Sequence, residues 1–293
     1  MLQQRTLKSL TRAVGVGLHS GQRVELTFRP APVDAGIVFR RIDLPVPVEI
    51  KVSARAVSDA RMASTISAGG DPGAPRVQTV EHLLAAFAGL EIDNCLVQVN
   101  AEELPIGDGS ADHFVSALLD AGRVDQQAAR RVCSIAQIEQ ITLPDAAGSL
   151  DAAPAADGQL HITYDLDYPD TPIGRQSCSM NVVPKSFVGE LSFARTFVLE
   201  REVARMRAQG FGLRATTANV LVFDRSGPVA TSVRAANECA RHKALDCLGD
   251  FALLGCDLVG RIHARQSGHT HNHELIRRLD HQLRARPRVA AAG

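Results

Sequence analysis

The sequence predicts an α+β protein. Two observations carry this: β-rich runs recur in both halves, and each half also holds helical stretches whose apolar residues return every three or four positions. In the first half, β-rich runs at 24–28, 36–44, 46–52 and 94–100 predict a sheet. Between the last two, Val80, Leu83, Leu84, Phe87 and Leu90 follow a helical spacing, with Thr79 placed to cap the helix and Gly89 near its end. Glu81 and His82 fall in its first turn, where side chains project from the end of the element. Residues 122–134 turn polar and charged and read as a domain junction, dividing the chain into 1–126 and 127–293. The second half has strand-like runs at 160–168, 219–224 and 258–266 and helical patterns near 197–209, 237–254 and 272–284. Residues 145–158, rich in Ala, Asp, Gly and Pro, read as surface turns, and the Ala/Gly tail after Pro287 reads as frayed. No sequence repeat relates the halves.

The 293 residues, 45% hydrophobic and 22% charged, describe a globular chain. With 32 basic and 32 acidic residues, a net charge of zero offers no long-range attraction for nucleic acid or an anionic membrane. Met1 to Leu10 has no apolar run of signal-peptide length, and no stretch approaches the roughly 20 apolar residues of a membrane span. The expectation is a cytoplasmic monomer. Six cysteines without CxxC pairing are expected to be buried small hydrophobes.

Chemistry concentrates in two distant segments. On the 237–254 pattern one stripe is apolar (Ala240, Ala244, Cys247, Leu248, Phe251, Leu254) and another carries Glu238, His242, Asp246 and Asp250. Acids repeated at i, i+4 repel one another, so a metal or basic partner is called for. A catalytic zinc takes three protein donors and leaves a fourth position for water; His82, His242 and Asp246 make such a set. Glu81, beside a donor but not needed as one, is left free to take a proton from that water. Taken alone, a His four residues from an Asp on one helix face is more often a surface ion pair than a metal site. Gly249, inside the helix, costs about 1 kcal/mol relative to alanine, and either close backbone approach or simple tolerance accounts for it.

Six ordered blocks then carry a resemblance: GVGLHSG (15–21) with the following PAP and GIVFRRIDL, TVEHLLAAFAGLEIDN (79–94), ELPIGDGSA (103–111), ARTF (194–197), RHKALDCLGD (241–250) and SGH (267–269). The chain resembles the UDP-3-O-acyl-N-acetylglucosamine deacetylases, zinc amidases of lipid A synthesis. The resemblance implies two α+β domains, each a sheet layered against helices, with the active site between them. It implies one Zn2+ per chain, with Fe2+ as an alternative, on His82, His242 and Asp246, with Glu81 as general base. It adds His269 as the acid that steadies the oxyanion and protonates the leaving amine, and Thr196 as an oxyanion donor. Lys243 and Phe197 are implied to face an acylated UDP-sugar, Asp250 and Asp108 to lie behind the donors, and His19 to belong to the site with no role assigned.

Departures from the family pattern cluster where substrate is held. Residues 210–220 lack the usual Gly/Ser-rich insert and contain Arg214. The 136–142 segment offers Gln137 and Gln140 where a lysine is usual. Gly107 stands for a methionine, His113 for a proline, Asn237 for an acid and His271 for an apolar residue. Two alternatives stay open: a divergent zinc amidase acting on another N-acetylated sugar, and a nonhydrolytic paralogue that binds nucleotide sugar. A serine hydrolase built on Ser192 ranks lower, because no nucleophile-elbow motif is present.

Overall fold

The computed structural model describes residues 2–285, so the tail after Pro287 lies outside the described residues. The α+β class holds. A five-stranded sheet has the order Thr11–Val16, Arg23–Pro30, Cys95–Val99, Ile37–Arg41, Val48–Lys51. A larger sheet has the order Glu139–Leu143, Ala146–Ala153, Asp257–Arg265, Leu160–Tyr168, Gly174–Asn181, with Val132–Ser134 added beside Asp257–Arg265.

The two sheets share one plan. In each, four strands come first, and the fifth inserts between the second and third. It lies antiparallel to the second and parallel to the third. A helix precedes that fifth strand in both sheets, Glu81–Gly89 in one and Glu238–Phe251 in the other, and a second helix follows it, Asp112–Ala121 and His269–Ala285 respectively. Topology therefore repeats where sequence does not, because a strand order constrains burial patterns rather than residue identities.

Each sheet turns one face to its helices. In Cys95–Val99 the alternate residues Cys95, Val97 and Val99 are fully buried, and Phe28 meets Phe87 of the Glu81–Gly89 helix edge to face at 6.1 Å between ring centroids. That helix is buried nearly all round, as an element sandwiched between others must be. Five of the six cysteines are buried, consistent with small apolar packing.

Three expectations need correction. Within 145–158, Ala146–Ala153 is a strand paired on both sides, with Leu150 and Ala152 buried. Its alanines and glycine carry no β signal, and pairing to two neighbours overrides their propensity. The pattern at 197–209 splits into a strand, Phe197–Leu199, parallel to Leu221–Phe223, and a helix that begins only at Glu200, so Thr196 is not a helix cap. Thr79 does not cap its helix either: its φ is +58° and its buried hydroxyl has no hydrogen-bond partner among the described residues. The carbonyl of Ser64 instead accepts the Val80 N–H at 3.2 Å. A β-branched residue in the left-handed region stores strain just before Glu81.

No helix among the described residues is long and apolar enough to cross a membrane.

Candidate metal and catalytic centre

The helices Glu81–Gly89 and Glu238–Phe251 pack directly on one another. Gly249 makes that approach possible, since a Cβ there would lie 2.0 Å from the Glu81 carbonyl oxygen. Close backbone approach is therefore the reason for a glycine inside the second helix. The crossing brings the first turn of one helix against the middle of the other, and three donors converge.

His82, His242 and Asp246 are all buried, and their donor atoms lie within 4.8 Å of one another. Asp246 Oδ1 is 3.6 Å from His82 Nε2 and 3.4 Å from His242 Nε2. Donors about 2.1 Å from a tetrahedral ion stand about 3.4 Å apart, so the set fits zinc. Asp246 Oδ1 is also buried without a hydrogen-bond partner among the described residues, which is costly unless something cationic answers it. His242 Nδ1 donates to the Ala194 carbonyl at 3.1 Å, leaving Nε2 with its lone pair toward the cluster. Burial pushes the His242 imidazole down to about 4, keeping it neutral as a donor must be.

Each acid on the polar stripe has its own answer. Glu238 is fully buried and pairs with Arg195, whose Nε lies 2.8 Å from Oε1, while the Arg234 N–H donates to Oε2. The other Asp246 oxygen accepts from Lys243 at 2.8 Å. Burial opposes the charge on both, yet Asp246 stays well below the usual carboxylate range, held there by His242 and Lys243, and Lys243 stays well above the usual ammonium range, held there by Asp246 and Tyr164. Asp250 accepts from His269 Nδ1 at 2.8 Å and from Asn272 at 2.7 Å.

Glu81 sits 4% exposed beside His82, and burial raises its carboxyl above the usual range. His269 is raised as well, for a different reason. Burial opposes its charge, but Asp250 overrides that and raises the imidazole to about 9.

The remaining expected residues surround this centre at differing removes. Phe197 meets His242 edge to face at 6.3 Å and Tyr168 at 5.8 Å. Thr196 is held by its backbone, its N–H donating to the Gly109 carbonyl and its carbonyl accepting from Leu221, both at 2.8 Å. Asp108 caps Ser110 and pairs with Arg234, so it braces the loop that holds Thr196. His19 Nδ1 accepts the Gly212 N–H at 2.9 Å and its ring meets Phe211, so it fastens the 15–21 loop to the 210–220 insert. Arg214 folds over Gly21 in the same clasp. Glu103 holds the loop from beneath, accepting the N–H groups of His19 and Ser20, each at 2.7 Å. The Ser192 hydroxyl lies 2.6 Å from Asp112 Oδ1 and 3.0 Å from the Val188 carbonyl oxygen, so its one hydrogen is used there rather than on an imidazole. Sequence reading placed Glu238 on the polar stripe without naming its partner, and missed Glu103 and Arg195 as site supports.

A sequence model of the UDP-3-O-acyl N-acetylglycosamine deacetylase family matches residues 4–281. The chain belongs to this family. A relative from Pseudomonas entomophila, named UDP-3-O-acyl-N-acetylglucosamine deacetylase, is 41% identical over 280 residues, which are 95% of this chain and 90% of that protein. Family membership makes the chain an enzyme, a deacetylase, and implies dependence on a metal, for which the three converging donors are the candidate site.

Gly107 and His113 share one space. Gly107 has φ +60°, and a Cβ there would come within 2.4 Å of the His113 ring, which occupies the space a side chain at 107 would need. Gly107→Met is therefore expected to lower the melting temperature. Adding His113→Pro, at the second residue of the Asp112–Ala121 helix where proline is tolerated, is expected to recover part of the loss. Calorimetry of the two single variants and the double variant checks this; additive losses would show that the two sites are not coupled.

Proposed function

We propose that this chain hydrolyses the N-acetyl group of UDP-3-O-acyl-N-acetylglucosamine in lipid A biosynthesis, releasing acetate and UDP-3-O-acyl-glucosamine, with one zinc ion held by His82, His242 and Asp246. The observation that carries the reading is the buried Glu81 carboxylate beside a three-donor set that does not need it. A bound zinc supplies a Lewis acid at the open fourth position.

Glu81 takes a proton from the attacking water as its oxygen bonds to the acetyl carbon. His269, protonated and held through Nδ1 by Asp250, turns Nε2 to the oxyanion and then gives its proton to the sugar nitrogen as the C–N bond breaks. Thr196 adds a hydrogen bond to the oxyanion, a contact worth about 3 kcal/mol when well aimed. Lys243, Phe197 and His19 border the space the acylated UDP-sugar enters. The enzyme is read as two α+β units, 1–126 and 127–293, with this centre between them, working as a cytoplasmic monomer.

The test is acetate release from UDP-3-O-acyl-N-acetylglucosamine beside the same sugar nucleotide without its acyl chain. Release only from the acylated compound supports the proposal. Equal release from both points to an amidase indifferent to the chain, a reading favoured by Arg214 in the insert and by Gln137 and Gln140 in place of a lysine. Release from neither overturns it.

The titration directions set the pH profile. Activity requires Glu81 ionised, so kcat/KM rises with pH through a value above the ordinary carboxylate pKa. It requires His269 protonated, so kcat/KM falls as pH rises through about 9. A profile still rising at pH 10 would remove His269 from the role of acid.

A further inference from the structure

Ser64 occupies a fully buried position between the base and the acid. Its backbone N–H donates to Glu81 Oε2 at 3.0 Å. Its hydroxyl donates to Asp250 Oδ1 and lies 2.8 Å from His273 Nε2. The hydroxyl has one hydrogen, and that hydrogen goes to the carboxylate. His273 Nε2 must therefore carry a proton and donate to the Ser64 oxygen. His273 Nδ1 is buried with no hydrogen-bond partner among the described residues, so the Ser64 contact is what orients this ring.

The consequence for Asp250 is complete engagement. Oδ2 accepts from His269 and Asn272, while Oδ1 accepts from Ser64, with His273 Nε2 3.4 Å away. Its carboxylate cannot rotate without breaking bonds on both oxygens, and His269 is aimed by that carboxylate. The Ser64 carbonyl also accepts the Val80 N–H and so holds the start of the helix that carries Glu81. One residue thus touches the base, the helix that presents it and the carboxylate that aims the acid.

We propose that Ser64 and His273 are positioning residues for deacetylation, a hydroxyl and imidazole pair that fixes the Glu81 and His269 side chains relative to each other. The proposal rests on the reading of Glu81 as base and His269 as acid. Neither residue hydrogen-bonds to the three donors among the described residues; they act through Asp250 and Glu81.

The experiment measures kcat, KM, bound zinc and melting temperature for Ser64→Ala, Ser64→Thr, His273→Leu, His273→Gln and the Ser64→Ala/His273→Leu double variant, beside Glu81→Ala and His269→Ala. Ser64→Ala is expected to lower kcat by about 10- to 100-fold with KM and bound zinc unchanged. Ser64→Thr keeps the hydroxyl, and His273→Gln keeps an N–H at the same reach; both are expected to restore most of the rate. The double variant is expected to be no slower than Ser64→Ala alone, because the pair acts as one unit. Should Ser64→Ala fail to fold, the contrast between His273→Leu and His273→Gln decides.

A Ser64→Ala enzyme with the wild-type kcat, or one whose lost rate is matched by lost zinc, overturns the proposal. So does a His273→Gln enzyme as slow as His273→Leu. If Glu81→Ala and His269→Ala are slow while the Ser64 and His273 variants are not, only this inference fails. If Glu81→Ala and His269→Ala keep the wild-type rate, the underlying reading of base and acid fails and takes this one with it.

Discussion

Glu81→Ala is expected to retain its zinc and lose about 10²- to 10⁴-fold in turnover, the range a positioned general base supplies. His82→Ala, one residue away, is expected to lose both. The separation follows from geometry. His82 Nε2 faces Asp246 Oδ1 across the width of an ion, whereas the Glu81 carboxylate is turned to the Ser64 N–H and lies outside the three-donor set. Removing a donor leaves two groups that cannot complete a tetrahedral site; removing the base leaves the ion in place and the water without a proton acceptor. Metal content by atomic absorption, measured beside acetate release, distinguishes the two. Equal loss of metal in both variants would make Glu81 a ligand rather than a base.

Gly249→Ala is the second large effect, and it acts through packing. The added Cβ would sit 2.0 Å from the Glu81 carbonyl oxygen and 2.7 Å from the Glu81 carbonyl carbon, both backbone atoms that cannot turn aside. The helices must separate by more than an ångström, at a cost of about 3 kcal/mol. For a chain of this size that lowers the melting temperature by roughly 5 °C. Helix propensity alone would make alanine stabilising at this position, so even the sign of the shift tests the explanation. The separation also draws Glu81 and His82 away from His242 and Asp246, and a misplacement of about 1 Å costs on the order of a hundredfold in rate. A variant with unchanged stability and activity would remove close helix approach as the reason for the glycine.

Much of this was legible beforehand, and the limits have physical causes. That His82, His242 and Asp246 converge beside Glu81 could be anticipated because catalytic chemistry demands particular residue types at particular spacings on helices whose apolar stripes were plain. The 160–168 run matched strand Leu160–Tyr168 because it pairs on both sides and alternates strictly in burial. The strand Ala146–Ala153 escaped because small residues leave no periodic signal even where they are buried. The 197–209 pattern read as one helix because the three strand residues at its start fit a helical spacing equally well. Ser64 was invisible for another reason: a lone serine in a loop gains meaning only from the 186 residues that separate it from Asp250 and the 209 that separate it from His273. Gly107 and His113 read as separate departures where substrate is held, whereas in space the His113 ring fills the volume a side chain at 107 would need.

The repeated strand plan has a thermodynamic consequence. The two helices that precede the inserted strands are counterparts, and each contributes only part of the donor set, one histidine from the first and a histidine and an aspartate from the second. An ion that needs all three donors binds only when these helices are docked, so it stabilises the docked arrangement over every state in which they have parted. That stabilisation grows by about 1.4 kcal/mol for each tenfold rise of free ion above its dissociation constant. With the ion held by His82, His242 and Asp246 as proposed, docking of the two helices and the supply of the ion are linked in a single equilibrium, and removing the metal is expected to weaken their docking as well as to stop the chemistry.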